Sequence, residues 1–311
     1  MDAPDGVRLF GARTEAKSPR CRLLIIHGMS EHFGRYRHFA DFLADKGVSV
    51  CGFDLRGHGR TGEESGTPGF LAEEGGWELV LGDIDLWVDR LRGEKPELPV
   101  FLLGHSMGSF LARAYAAGKG EKLAGLILSG TGHDPGLKGR LGRIVALIEG
   151  RINGRNFPSA LLDRLTFGPY ARSVKNRSTR FDWLSRDEEQ VDRYMSDPYC
   201  GGIPANGFFA DLLKGIRDVH QPAVLRRTPR KLPIYLFSGS RDPVGGFSRG
   251  VAQVYKEYRK AGIETISMKI YSDGRHEMLN ETNRDEVYRD VLAWIESRLP
   301  AAAPEGGAPA P

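Results

Sequence analysis

The stretch Gly104-His105-Ser106-Met107-Gly108 constrains this chain more than any other part of its sequence. An aliphatic run, Val100 to Leu103, enters it, and a helix with small residues (Ala112, Ala114, Ala116) leaves it. A strand that turns into a helix over so few residues brings backbone against backbone. Glycine at both ends, in the pattern G-x-S-x-G, removes the side chains that would clash there. The serine between them is then held in a strained conformation with its hydroxyl exposed at the tip of the turn. Ser106 is therefore a candidate nucleophile, and a purely structural glycine-rich turn is the other reading.

The surroundings repeat the same strand-to-helix rhythm. Leu23 to His27, Val48 to Asp54, Val100 to Leu103, Leu123 to Leu128, Ile234 to Phe237 and Ile266 to Tyr271 are short aliphatic runs that read as buried strands. Between them, helical spacing brings Tyr36, Phe39, Ala40 and Leu43 onto one face, and Val80, Ile84, Trp87 and Leu91 onto another. Val251, Val254, Tyr255 and Tyr258 form a third face. A last helix carries Val287, Val291, Trp294, Ile295 and Leu299, with Asn283 and Glu286 as a capping pair. Strands alternating with helices imply an α/β fold with a mostly parallel central sheet flanked by helices. Residues 131–231 show helical patterns and no strand, so a helical cap is expected there, inserted between core segments 1–130 and 232–299. In such sheets ligands bind at the carboxyl ends of the strands, the edge from which the cap leaves. Asp5-Gly6 is a hairpin-type turn pair, but the chain begins so close before it that the first strand is expected to be missing or vestigial. Residues 300–311 (PAAAPEGGAPAP) are expected to form a disordered tail.

Composition narrows the class further. Glycine occupies 40 of 311 positions, about twice the usual ~7%, as a fold rich in tight turns requires. No apolar run reaches the ~18 residues of a membrane span, and Met1 to Phe10 lacks the basic and apolar segments of a signal peptide. Cys21, Cys51 and Cys200 are an odd set, far apart, and read as free thiols of a cytoplasmic protein. No Cys/His spacing along the chain suggests a metal, and no cofactor is expected. Nothing in the sequence fixes an oligomeric state.

A serine hydroxyl needs a base. Among eight histidines, His276 follows the last strand in the loop Ser272 to His276, on the sheet edge where Ser106 sits. A histidine base titrates near ~6 to 7. The acid that orients it is expected after the preceding strand. Ile234 to Phe237 leads through Ser238-Gly239-Ser240-Arg241 to Asp242; Asp273 is the rival. The resulting order serine, aspartate, histidine is one of the orders in which such triads occur. The oxyanion formed on the attacked carbonyl needs backbone donors. One is the N–H of Met107, directly after the serine. The other is the N–H of Met29, in the loop His27-Gly28-Met29-Ser30-Glu31-His32, where Gly28 lets the backbone come close.

HGMSEHFGRY, FDLRGHGRT, GHSMG, SGSRDPVG and YSDGRHEMLNE, in this order, resemble the monoacylglycerol lipase and lysophospholipase group of α/β-hydrolases, and FDWLSRDEEQVDRYMSDPYCGG resembles the cap of bacterial members. The resemblance runs from about Gly6 to Leu299. It implies an α/β-hydrolase fold, Ser106, Asp242 and His276 as triad, Met29 and Met107 as oxyanion donors, and lipid-derived esters as substrates. Related sequences are also named aminopeptidases. A serine peptidase is therefore an alternative, with Glu188 and Glu189 as candidate binders of a substrate amine, although Ser185 with Glu188 also reads as a capping box. A third reading is a ligand-binding protein that kept the fold without the chemistry. Dehalogenase and epoxide-hydrolase chemistry is disfavoured, because the enzymes of this fold that perform it use an aspartate where Ser106 stands.

The cap segment carries 18 Lys+Arg and 11 Asp+Glu, a net of +7, against −3 for the remainder. Leu137, Leu141, Ile144, Val145, Ile148 and Ile152 form an apolar stripe accompanied by Arg140, Arg143, Arg151 and Arg155. Such a helix suits transient contact with a membrane surface. The plainer reading is that the stripe packs inward or lines the pocket. Nucleic acid is excluded as a partner, because no stacking aromatics accompany the basic residues.

Overall fold

The computed structural model describes residues 1–299; the tail expected at 300–311 lies outside the described residues. In chain order the elements are β1 (Gly11–Thr14), β2 (Cys21–Ile26), α1 (Arg37–Ala44), β3 (Val48–Phe53), α2 (Gly59–Glu64), α3 (Gly76–Glu94), β4 (Val100–His105), α4 (Met107–Lys119) and β5 (Gly125–Ser129). Helices α5 (Leu137–Asn153), α6 (Ala160–Arg172), α7 (Glu188–Ser196), α8 (Asn206–Val219) and α9 (Pro222–Leu225) follow. The chain then returns to β6 (Ile234–Gly239), α10 (Arg249–Ala261), β7 (Ile266–Tyr271) and α11 (Arg284–Glu296).

The seven strands form one sheet in the order β1-β3-β2-β4-β5-β6-β7. All pairs are parallel except β1 with β3. Strands β2 to β6 are buried along their whole length. Successive side chains point to opposite faces, so each strand feeds two cores. Leu24, Phe53, Leu102, Leu126 and Leu236 pack with Val80, Ile84, Leu111, Val251 and Val254 of α3, α4 and α10. Leu23, Val50, Leu103, Ile127 and Phe237 pack with Phe39, Val291, Trp294 and Ile295 of α1 and α11. This is the α/β-hydrolase arrangement: a mostly parallel sheet with helices on both faces.

Asp2 and Arg8 form a single antiparallel bridge around the Asp5-Gly6 turn, and β1, which the hydrophobic pattern did not reveal, follows as a half-exposed edge strand. Two capping expectations fail. Asn283 makes no cap bond to the backbone of α11; its side chain donates to Glu286 Oε2 at 3.0 Å instead. The cap of α7 is Asp187, not Ser185, because the Ser185 hydroxyl donates to the Asn280 carbonyl at 2.8 Å.

Among the described residues, the segment between β5 and β6 contributes no strand to the sheet. It is rooted in the core through α8, whose Phe208 and Leu212 join the cluster of α3 and α4. A second anchor is the stretch before α7. The Arg275 guanidinium donates to the carbonyls of Asp182 (2.5 Å) and Ser185 (2.8 Å). Arg186 Nε donates to the buried carboxylate of Glu281 at 2.9 Å. Helix α5, by contrast, buries only Ala146. Leu137, Leu141, Ile144, Ile148 and Ile152 are 51% to 75% exposed, so most of the stripe faces outward. Only part of it serves the pocket, through Leu141 and Val145.

Candidate active site

Ser106 sits between β4 and α4 with φ 51° and ψ −119°, a conformation that costs a non-glycine residue about 1–3 kcal/mol. Close packing holds it there. A Cβ on Gly104 would run into the Gly108 carbonyl, and one on Gly108 into the Ile26 carbonyl. The Ser106 N–H donates to Ser129 O at 2.9 Å, tying the turn to β5. Ser106 opens into a cavity of about 680 Å3, within the usual range for a pocket that engulfs a small ligand. Its walls are largely apolar, including Phe110 of α4 and Leu162, Phe167, Phe209 and Leu213 of the interposed segment.

His276 lines the same cavity and is almost fully buried. Its Nδ1–H donates to Asp242 Oδ1 at 3.0 Å. Asp242 also accepts from the Val244 amide at 2.9 Å and, through Oδ2, from the Ser238 hydroxyl at 2.7 Å. Burial alone would push the Asp242 carboxyl up; His276 and the other donors outweigh it and hold it below its ordinary value. Burial likewise opposes a charge on His276, but Asp242 outweighs burial and raises the imidazole above its ordinary value of 6.5. The structure thus pairs His276 with Asp242 and leaves Asp273 outside. Asp273 is exposed and contacts Arg241 at 3.4 Å. Among the described residues no hydrogen bond joins the Ser106 hydroxyl to His276. Such contacts are often long without substrate and tighten when it binds.

Met29 and Met107 both line the cavity beside Ser106, and among the described residues neither backbone N–H donates to a protein acceptor. The loop that carries Met29 is held by Glu31, whose Oε1 accepts the Gly28 N–H at 2.6 Å and the Tyr36 hydroxyl at 2.9 Å. Arg35 donates to Glu31 Oε2 at 2.8 Å and, in a fork, to both oxygens of Glu277 at 2.6 and 2.7 Å. This buried bridge links the Met29 loop to the residue after His276. Sequence reasoning passed it over. The i,i+4 spacing of Glu31 and Arg35 was the one local signal, and Glu277 lies 242 residues from Arg35.

The interposed segment also reaches His276. The His276 and Glu277 amides donate to the carbonyls of Trp183 (3.3 Å) and Leu184 (2.7 Å), and the Trp183 ring lies 5.2 Å from the imidazole. His27 and His58 serve the fold. His27 accepts the Leu55 amide at 2.9 Å, and His58 bonds the Arg56 carbonyl at 2.8 Å. Burial lowers His27 and His105 to about 4 and His58 to about 3. Glu188 and Glu189, the candidate amine binders, lie outside the cavity lining; Glu189 pairs with Arg193 and is largely exposed. The acids that do line the cavity are engaged, Glu31 and Glu277 by Arg35 and Asp163 by Arg180.

A hydroxyl on a strained turn, a buried imidazole–carboxylate pair and two free amides around one apolar cavity can perform acyl transfer. The model of the family described as Serine aminopeptidase, S33 matches residues 17–283. A monoacylglycerol lipase of Mycolicibacterium smegmatis is 28% identical over 94% of this chain and 95% of its own length. The human monoglyceride lipase is 29% identical, covering 92% and 85%. A solved carboxyl esterase from Bacillus coagulans, in complex with glycerol, superposes with a TM-score of 0.88 at 27% identity and 96% coverage of both chains.

Proposed function

We propose that this chain, which belongs to the family described as Serine aminopeptidase, S33, hydrolyses single-chain lipid esters such as monoacylglycerols or lysophospholipids. The observation that carries the reading is the opening of the strained Ser106 into a largely apolar cavity. The ester carbonyl lies over Ser106 with its acyl chain among Phe110, Leu162, Phe209 and Leu213. Ser106 Oγ attacks the carbonyl carbon while His276 Nε2 takes its proton, and Asp242 stabilises the imidazolium. The N–H groups of Met29 and Met107 hold the oxyanion; losing one such donor typically costs ~3 to 4 kcal/mol of transition-state stabilisation. His276 then returns the proton to the departing alcohol. Water, deprotonated by His276, releases the fatty acid.

Against the peptidase reading stands the shortage of free acid in the cavity, since Glu31, Glu277 and Asp163 are each bound to an arginine. The relatives' names favour esters too, the family's own description notwithstanding. The test is a screen of p-nitrophenyl esters of increasing acyl length beside aminoacyl-p-nitroanilides. Turnover of the esters, with a preference for medium or long chains, is expected. Turnover confined to the anilides would overturn the proposal.

Residues 131–231 act as the cap that sets substrate choice, and α5 is its membrane-facing edge. The outward Leu137, Ile144, Ile148 and Ile152 share α5 with Leu141, which, like Leu165 of α6, is both exposed and part of the cavity lining, so an acyl chain leaving a bilayer meets the cavity directly. Of the four accompanying arginines, Arg140 and Arg151 are exposed, Arg143 is half-buried, and Arg155 lies 3.5 Å from Asp211. Only the first two are free to meet anionic headgroups. No helix among the described residues is long and apolar enough to cross a membrane. The three cysteines are unpaired, which suits the reducing cytoplasm.

A further inference from the structure

We propose that His32, Asp197 and Cys200 form a binding site for a thiophilic divalent cation of the zinc type, and that occupancy disturbs the loop carrying Met29. One donor atom from each residue lies within 4.8 Å of the other two. His32 Nε2 stands 2.9 Å from Asp197 Oδ2. A tight turn fixes the other two ligands relative to each other: the Cys200 N–H donates to Asp197 O at 3.0 Å and the Tyr199 N–H to Asp197 Oδ1 at 2.9 Å. All three residues are half-buried, accessible to an ion yet shielded from bulk water. Imidazole, carboxylate and thiolate are ordinary zinc ligands at about 2.0–2.3 Å, which leaves the fourth tetrahedral position to water or a substrate atom. The three lie up to 168 residues apart in sequence, which is why no ligand spacing was visible along the chain.

Burial holds the Cys200 thiol protonated, but a bound divalent cation deprotonates a coordinating thiol. On binding, the Sγ–H bond breaks and its proton leaves to solvent. The coordinating thiol therefore gives up one proton per cation. The neighbouring Arg35 is already bound by Glu31 and Glu277, so its charge is compensated. A second group, His133, His220 and Glu257, also clusters, but the Arg113 guanidinium donates toward both His220 nitrogens at 3.3 Å. A cation there would displace an existing donor, so that cluster serves as the control.

The coupling to Met29 rests on the oxyanion role proposed above. Ser30, the next residue, accepts at its carbonyl from the Gly201 N–H (2.9 Å) and the Tyr194 hydroxyl (2.9 Å). Its own hydroxyl donates to the Gly202 carbonyl at 2.8 Å. Drawing Cys200 and His32 onto one ion thus moves the Met29 loop from both of its anchors.

The test uses the full chain, stripped of metal, titrated with Co2+ as a spectroscopic probe and with Zn2+ in competition. One equivalent is expected to give a thiolate-to-cobalt charge-transfer band. The band should be absent in Cys200→Ser, at least tenfold weaker in affinity in His32→Gln and Asp197→Asn, and unchanged in His133→Gln. Zn2+ should lower kcat on a p-nitrophenyl ester for the wild type and not for Cys200→Ser, whose metal-free activity reports intact folding. No thiolate band, or a band that survives Cys200→Ser, overturns the site. Inhibition that survives Cys200→Ser also overturns it, by locating zinc elsewhere. The spectra do not depend on the esterase reading, so failure of the site and failure of that reading are separable.

Discussion

Asp242→Asn isolates the charge of the buried acid. Asp242 Oδ1 takes both the His276 Nδ1–H and the Val244 amide, while Oδ2 takes the Ser238 hydroxyl. An asparagine can keep its oxygen toward His276 and Val244 and turn its amide to Ser238, whose oxygen is able to accept. Ring position and tautomer then survive, and the negative charge is lost. Two unit charges 3.0 Å apart interact by about 5.5 kcal/mol at an effective dielectric near 20. At about 1.4 kcal/mol per tenfold in rate, that sets the upper end of the loss in kcat near 10⁴-fold. Asp273→Asn removes only an exposed contact with Arg241, which is worth little, so kcat should change by less than about twofold. The assay is hydrolysis of a p-nitrophenyl ester at saturating substrate, with thermal melts to verify folding of both variants. An Asp242→Asn enzyme within tenfold of wild type would refute the charge argument, and a more damaging Asp273→Asn would transfer the role of the acid.

The pH profile follows from His276, which must be neutral to accept the serine proton. Because Asp242 outweighs burial and raises it, kcat/KM should rise with pH through one ionisation above 6.5, and Asp242→Asn should move that limb down; a rate flat from pH 5 to 8 contradicts a histidine base. Stability should also fall as pH drops, because of the buried neutral histidines. His27 and His105, lowered to about 4, and His58, lowered to about 3, stay unprotonated when folded while the unfolded chain takes up protons below about 6.5. Each therefore removes about 1.4 kcal/mol of stability per pH unit between about 6.5 and its folded value, read as a falling urea midpoint; an unchanged midpoint from pH 7 to 5 would count against their burial as neutral groups. For α5, co-sedimentation with phosphatidylglycerol vesicles should weaken with salt and with Arg140→Gln/Arg151→Gln together, each basic contact being worth ~1 kcal/mol near an anionic surface. Binding indifferent to both would remove the electrostatic part, and no binding at all would leave the substrate arriving from solution.

What could be read from the sequence was what burial imprints on it. The six aliphatic runs are the six strands β2 to β7; for β2 to β6, buried along their whole length, the reason is that parallel strands covered on both faces must be apolar on both. The edge strand β1 was missed because backbone pairing to β3 holds it, with side chains half-exposed or exposed. Ser106 was legible because the turn around it tolerates only glycine at Gly104 and Gly108. The pairing of His276 with Asp242 rather than Asp273 followed from strand ends. What remained hidden were contacts between distant segments. The bridge Glu31–Arg35–Glu277 and the hold of Trp183 and Leu184 on the His276 loop depend on how the chain returns to the sheet edge, which no local pattern records. The outward face of α5 was likewise open in sequence, because an amphipathic stripe reads the same whether it packs inward or meets a bilayer.

The assignment of Ser106 is tested most directly by covalent capture. Wild type and Ser106→Ala are treated with a fluorophosphonate probe, and the adduct is located by peptide mass spectrometry. A single adduct on Ser106, competed by a long-chain monoacylglycerol and absent from a folded Ser106→Ala protein that has lost ester hydrolysis, is the expected result. An adduct on another serine, or ester hydrolysis that persists in Ser106→Ala, would contradict it.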